Sequence, residues 1–244
     1  MAPMIVLGLD TATTACSVAL WADGTVVANR FELMERGQAE RLNPMIGEVM
    51  DDAALAFRDL DAIAVTTGPG AFTGLRIGLA AARAIALAVA VPVIGVTTFD
   101  ALALAVPEAE RAGRSLVVAV NGKRRDVFYQ LFGADGQSCG PGAALDPGAA
   151  VDVLPPGPLL IAGDGAPQLR AGLAGNEEAG DGPEARIRFS IAVAPPDAVY
   201  VARIGAERRP AEGTAPSAPP RPLYIRPPDA RLPRPGTGRG LGVP

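Results

Sequence analysis

Hydrophobic residues in the first hundred positions fall into short blocks whose spacing switches between strand-like and helix-like. Ile5 to Asp10 is a short apolar run, and Cys16 to Trp21 is rich in strand formers. Thr25 to Leu33 follows directly on Asp23-Gly24, a dipeptide suited to a tight hairpin. The polar connection Thr11-Ala12-Thr13-Thr14 separates the first two runs, so the pattern predicts an antiparallel meander of three strands. From about Ala39 to Ala56, the residues Leu42, Met45, Ile46, Val49 and Met50 recur at helical spacing, with Glu40, Arg41, Glu48, Asp51 and Asp52 mostly between them. Ala62 to Thr66 reads as a buried strand, broken by Gly68-Pro69-Gly70. A second helix is predicted from about Thr73 to Ala90, then a strand from Val93 to Val96 and a helix from Phe99 to Ala105.

The resulting order is βββαβαβα. It is the ribonuclease-H-like order, in which a meander is extended by parallel βα units, and it is the repeating half of actin-like ATPases and sugar kinases. The second half repeats it in reduced form. Leu116 to Val120 and Val127 to Phe132 are strands joined by the turn Asn121-Gly122-Lys123-Arg124. Leu159 to Ala162 is a further strand, and helices are expected near Pro167 to Leu173 and Asp197 to Ala206. Cys139 to Pro158 is rich in Gly and Pro and reads as loop. The expected fold is therefore α/β with two tandem subdomains, residues 1–108 and a reduced 109–209. Residues 210–244 form a tail expected to be extended or disordered, carrying Arg221, Arg226, Arg231, Arg234 and Arg239.

Composition narrows the classes of function. Of the 244 residues 49% are hydrophobic and 20% charged, which suits a globular chain with a substantial core. A net charge of −4 argues against autonomous nucleic-acid binding. Cys16 and Cys139 stand far apart, so a reducing cytoplasm fits better than a disulfide framework. The N-terminus lacks the pattern of a signal peptide. The apolar stretch from Leu75 to Val96 is broken by Arg76, Arg83 and Pro92, and reads as a buried helix leading into a strand rather than a membrane span. The chain has no histidine, which excludes Ser-His-Asp and Cys-His chemistry and removes the usual nitrogen ligand of zinc or iron. Asp10, Asp100, Asp126 and Asp164 sit at strand or loop ends without a diagnostic metal-binding spacing.

Two segments stand out. Asp10, Thr11 and Thr13 follow the first strand where an actin-like ATPase holds metal-bound phosphate, but the glycine that lets backbone N–H groups approach a phosphate is missing. A vestigial nucleotide site and a hydrogen-bonded turn capped by Asp10 both fit, and the second is preferred. The segment Gly68 to Gly78 leads into a helix, where an anion would find free N–H groups. It lacks the Lys-Ser/Thr ending of a phosphate loop. Gly74 and Gly78, followed by Ala81, Ala82, Ala84, Ala86 and Ala88, instead suggest a smooth face that receives another helix, with Phe72 and Leu75 as apolar anchors and Thr73 as N-cap. Gly163-Asp164-Gly165 reads as a tight turn.

Ile5 to Thr13 with Cys16 to Leu20, the segment Gly68 to Gly78, Pro92 to Thr98, and Pro222 to Arg226 together resemble the TsaB (also called YeaZ) family. The resemblance is dense from about Met4 to Ala105. It implies a cytoplasmic, non-catalytic scaffold or activator subunit in the biosynthesis of threonylcarbamoyladenosine next to the tRNA anticodon. In such a system the catalytic partner is TsaD-like, a TsaE-like ATPase joins, and tRNA is met only through the complex. ATP and a metal ion belong to the partners, so no cofactor, metal or catalytic residue is expected here. The resemblance places the partner interface on the two N-terminal helices, at Leu42, Met45, Ile46, Val49, Phe72, Thr73, Gly74, Leu75, Ile77, Gly78, Ala81 and Ala82. A homodimer is expected when the partner is absent. The sequence departs from the family pattern at Gln38, Asn121 and Asp126. The competing readings are a stand-alone actin-like ATPase or small-molecule kinase, against which the missing glycine weighs, and a metallopeptidase, against which the lack of histidine weighs.

Overall fold

The computed structural model describes residues 4–111, 113–122, 125–180, 185–208 and 218–226. Lys123, Arg124, Arg231, Arg234 and Arg239, named above for a turn and a basic tail, lie outside them. The meander forms as expected: β1 (Ile5–Asp10), β2 (Ala15–Ala22) and β3 (Thr25–Leu33), then α1 (Gln38–Asp52), β4 (Ala62–Gly68), α2 (Phe72–Val89), β5 (Val93–Thr97) and α3 (Thr98–Ala105). A short α4 (Glu108–Arg111) leads to β6 (Ser115–Asn121), β7 (Val127–Phe132), β8 (Ala143–Leu145), α5 (Ala150–Val153), β9 (Leu159–Ala162), α6 (Ala166–Gly172), β10 (Ile187–Phe189) and α7 (Ala198–Arg208).

The strands make two five-stranded sheets, β3-β2-β1-β4-β5 and β10-β9-β6-β7-β8. In the first, β1 pairs antiparallel with β2 and parallel with β4, and β4 runs parallel to β5. In the second, β6 pairs antiparallel with β7 and parallel with β9. The same pairing in both sheets is the doubled ribonuclease-H-like arrangement of the actin-like ATPase fold. The central strands are covered on both faces, which is why β1 and β4 read as continuous apolar runs rather than alternating ones.

One face of the first sheet carries α1 and α2: Leu42, Met45, Ile46, Val49, Leu79, Ala82 and Ala86 pack on Leu7, Leu9, Val18, Leu20, Ile63 and Val65. The other face carries α7, through Val201 and Ile204 on Val6, Ala62 and Ala64. A helix that follows the second sheet in sequence therefore returns to pack on the first. α3 lies between the sheets, with Ala101 toward the first and Phe99 and Leu102 toward the second.

The expected loop from Cys139 to Pro158 is corrected. Ala143–Leu145 pairs with β7, and Leu145 is buried. The edge of β7 supplies a pairing partner that no local propensity announces. Thr73 is not the N-cap of α2. Ala71 holds that position with no side-chain bond, and Thr73 lies exposed in the first turn. By length and composition alone α2 is apolar enough to cross a membrane, yet it lies against a sheet with one third of its apolar window buried.

The α1 core residues have at most 2% of their surface exposed. Truncating Leu42 to Ala should therefore cost about 2–5 kcal/mol of folding stability in chemical denaturation. An unchanged midpoint would contradict the packing described.

Candidate functional site

Asp10 ends β1 in the middle of the first sheet, and the turn after it is closed rather than open. Asp10, Thr11, Ala12 and Thr13 have 0%, 1%, 0% and 3% of their surface exposed. The Asp10 Oδ1 atom accepts hydrogen bonds from Thr66 Oγ1 (2.6 Å) and from the Ala12 N–H (3.2 Å). Its Oδ2 atom and the Thr13 hydroxyl have no hydrogen-bond partner. The start of α2 is seated on this turn. Thr11 Oγ1 donates to the Gly74 carbonyl (2.8 Å), and the Ala71 N–H donates to the Ala12 carbonyl (2.6 Å). A Cβ on Gly78 would stand 2.7 Å from Thr11 Oγ1, and one on Gly74 would run into the Thr11 carbonyl. The two glycines read from sequence as a face for a neighbouring helix instead receive this chain's own Asp10 turn.

The residues expected at a partner interface divide accordingly. Leu42, Met45, Ile46, Val49, Gly74, Leu75, Gly78 and Ala82 are buried within the chain. Phe72 and Thr73 are exposed, and Ile77 and Ala81 are half-buried. On the outward side of α2, Arg76, Ala80, Arg83, Ala84, Leu87 and Ala88 are exposed, and Leu87 keeps 86% of its surface in solvent. Leu75, Leu79, Ala82 and Ala86 mark the inner side at helical spacing, which leaves residues 76, 80, 83, 84 and 87 outward. On α1 the outward positions include Asn43, Pro44 and half-buried Gly47, whose added Cβ would meet nothing within 4 Å.

The remaining carboxylates have structural partners. Asp100 binds Arg208, Asp126 binds Arg226, and Asp164 accepts from the Asn121 N–H. Gln38 is buried and donates to the Met34 carbonyl. Asn121 accepts from Gln168. Among the described residues no group of three or more His, Cys, Asp or Glu side chains is placed to hold a metal ion.

Burial pushes the Asp10 carboxyl up to about 7, against the lowering effect of its bonds from Thr66 and Ala12; the charges of Asp164 and Asp197 add to the rise. Burial likewise raises Asp197, and it pushes the Cys16 thiol up to about 12, which makes that sulfur inert. A carboxyl near neutrality suits a general base, but this one is sealed from any reactant. Its effect falls on stability. The folded chain holds a proton that the unfolded chain releases above the ordinary value of 3.8. That contribution is full below 3.8 and is lost as the pH rises toward 7. The wild-type chain should therefore lose stability across this window relative to Asp10→Asn, which keeps an acceptor for Thr66 and Ala12; parallel denaturation profiles would refute it. Gly74→Ala should cost about 1–3 kcal/mol through its clash with Thr11, although alanine is the better helix former. A stabilised Gly74→Ala chain would show that the turn is not seated as described.

Residues 29–164 match the family model described as TsaD, tRNA N6-adenosine threonylcarbamoyltransferase. The chain is 39% identical over 132 residues to the tRNA threonylcarbamoyladenosine biosynthesis protein TsaB of Escherichia coli, covering 54% of this chain and 56% of that protein. It thus spans about half the length of that curated relative. An uncharacterized protein of Mycobacterium tuberculosis is 34% identical over 93% of both chains. The solved structure of YeaZ from Pseudomonas aeruginosa superposes with a TM-score of 0.70 at 27% identity, covering 91% of this chain and 99% of that one. With the doubled sheet and the matches running through it, the chain belongs to the TsaB (YeaZ) family, the TsaD-related proteins of tRNA threonylcarbamoyladenosine biosynthesis.

Proposed function

We propose that this chain is the non-catalytic scaffold subunit of the system that adds threonylcarbamoyl to adenosine next to the tRNA anticodon. It pairs with a TsaD-like catalytic subunit, admits a TsaE-like ATPase to the assembly, and works in the cytoplasm with no metal or nucleotide of its own. It meets tRNA only through the complex. The observation that carries this reading is the outward face of α2. Only 33% of the apolar window of this helix is buried, and Ala80, Ala84, Leu87 and Ala88 are exposed. Apolar residues gathered on one exposed helix face, flanked by Arg76 and Arg83, suit a docking surface. Small residues along it let a second helix come close. Without the partner, the same face pairs two copies of the chain.

Gly47 supports the same reading. A mid-helix glycine costs roughly 0.5–1 kcal/mol relative to alanine, and nothing inside this chain requires it, since its Cβ would meet open space. Space kept open at a helix surface suits a neighbour that approaches there. The buried residues Leu42, Met45, Ile46 and Val49 then act by holding α1 in place rather than by touching the partner.

Mixing the purified chain with the TsaD-like subunit of the same organism should give a heterodimer by light scattering. Leu87→Arg and Ala84→Arg should weaken it at least about tenfold, roughly 1.4 kcal/mol, while changing folding stability by no more than about 0.5 kcal/mol. Gly47→Ala should raise the stability of the isolated chain and weaken the complex. Failure to associate, or undiminished binding by both arginine variants, would contradict the proposal. Turnover of ATP by the pure chain, abolished by Asp10→Asn, would establish the stand-alone ATPase reading instead.

A further inference from the structure

The segment 218–226, part of the tail expected from its Pro-rich sequence to be extended or disordered, is bound along both lobes. At its start Pro220 fits over Gly95 of β5, where an added Cβ would come within 2.8 Å of the proline Cβ. Its carbonyl accepts from the Arg83 guanidinium at 2.6 Å. The Leu223 N–H then donates to the Thr67 carbonyl of β4 at 2.7 Å. Tyr224 stacks on Phe72 of α2, with ring centroids 5.4 Å apart and an interplanar angle of 26°. Arg76 lies 3.8 Å over the Phe72 ring and donates to the Tyr224 hydroxyl at 3.3 Å. The next two residues belong to the other lobe. Ile225 packs on the cluster built from Phe99, Phe128 and Phe132, and Arg226 pairs with Asp126 at the start of β7 and sits 5.7 Å from the Phe128 ring centroid.

Seven consecutive residues thus run from the carboxyl ends of β4 and β5 to the first strands of the second sheet. Apart from this segment, α3 lies between the two sheets. We infer that residues 218–226 are a clasp that holds the two lobes at one angle, with Leu223 and Tyr224 anchored on the first lobe and the Arg226–Asp126 pair as its latch on the second. Because Tyr224 also seats Phe72, the clasp ties the lobe angle to the N-terminal end of the outward α2 face. The interaction is intramolecular, so it stands or falls independently of any partner.

The test uses the full-length chain with Asp126→Arg, Arg226→Asp, the swap Asp126→Arg with Arg226→Asp, and Tyr224→Ala. Exchange of the Leu223 amide reports docking of the clasp. Spin labels on Cys139, which is exposed, and on an Asp51→Cys substitution in α1 report the lobe separation, since Cys16 is buried and escapes labelling. Each single variant should speed Leu223 exchange about fivefold and broaden the distance distribution, and the swap should restore both. In the unmodified chain, about 1 M salt should speed Leu223 exchange relative to the Val65 amide in β4, a comparison that needs no variant to fold. Unchanged exchange in the variants, an unrestored swap, insensitivity to salt, or faster exchange with an unaltered lobe distance would each overturn the clasp.

Discussion

The seating of the Asp10 turn against the start of α2 decides most of what this chain presents to its surroundings. The bond from Thr11 to Gly74 and the bond from Ala71 to Ala12 fix the rotation of α2 about its axis. Gly74 and Gly78 must then face inward, because only a residue without a side chain admits the turn. Once they do, the helical period sends Arg76, Ala80, Ala84 and Leu87 outward. One local contact therefore buries the Asp10 turn and, through the helical period, turns Ala80, Ala84 and Leu87 toward solvent.

That contact has an electrostatic consequence. Closing the turn removes water from Asp10, which keeps two hydrogen bonds to one oxygen and none to the other. A buried carboxylate without full solvation is costly, and the group responds by holding its proton toward neutral pH. In a hydrolase such a shift would mark a catalytic acid or base. Here the same physics acts on a carboxyl with 0% of its surface exposed.

Much of the fold was legible in the sequence because the first half obeys its local signals. The Asp23-Gly24 hairpin, the continuous apolar runs of β1 and β4, and the periodicity of α1 and α2 each point to the element that forms. The second half was less legible where pairing substitutes for propensity. β8 and β10 are three-residue strands held by β7 and β9, and nothing in Ala143–Leu145 or Ile187–Phe189 announces them. In the candidate site, the sequence of Gly68 to Gly78 shows that a close approach occurs but not which element approaches: Gly74 and Gly78 lie against this chain's own Thr11. The 218–226 segment is extended, as expected for residues 210–244, but its docking was not legible. Prolines forbid regular structure, yet they do not prevent a chain from docking in an extended form.

If the proposed partner surface is the outward face of α2 and not the Asp10 turn, a hydrogen-exchange footprint taken with and without the TsaD-like subunit will reveal it. New protection is expected on the α2 backbone around residues 76–88 and the neighbouring surface of α1, with the Asp10 to Thr13 amides unchanged. A footprint that leaves α2 untouched and falls on the second sheet, or that opens the Asp10 turn, would contradict it.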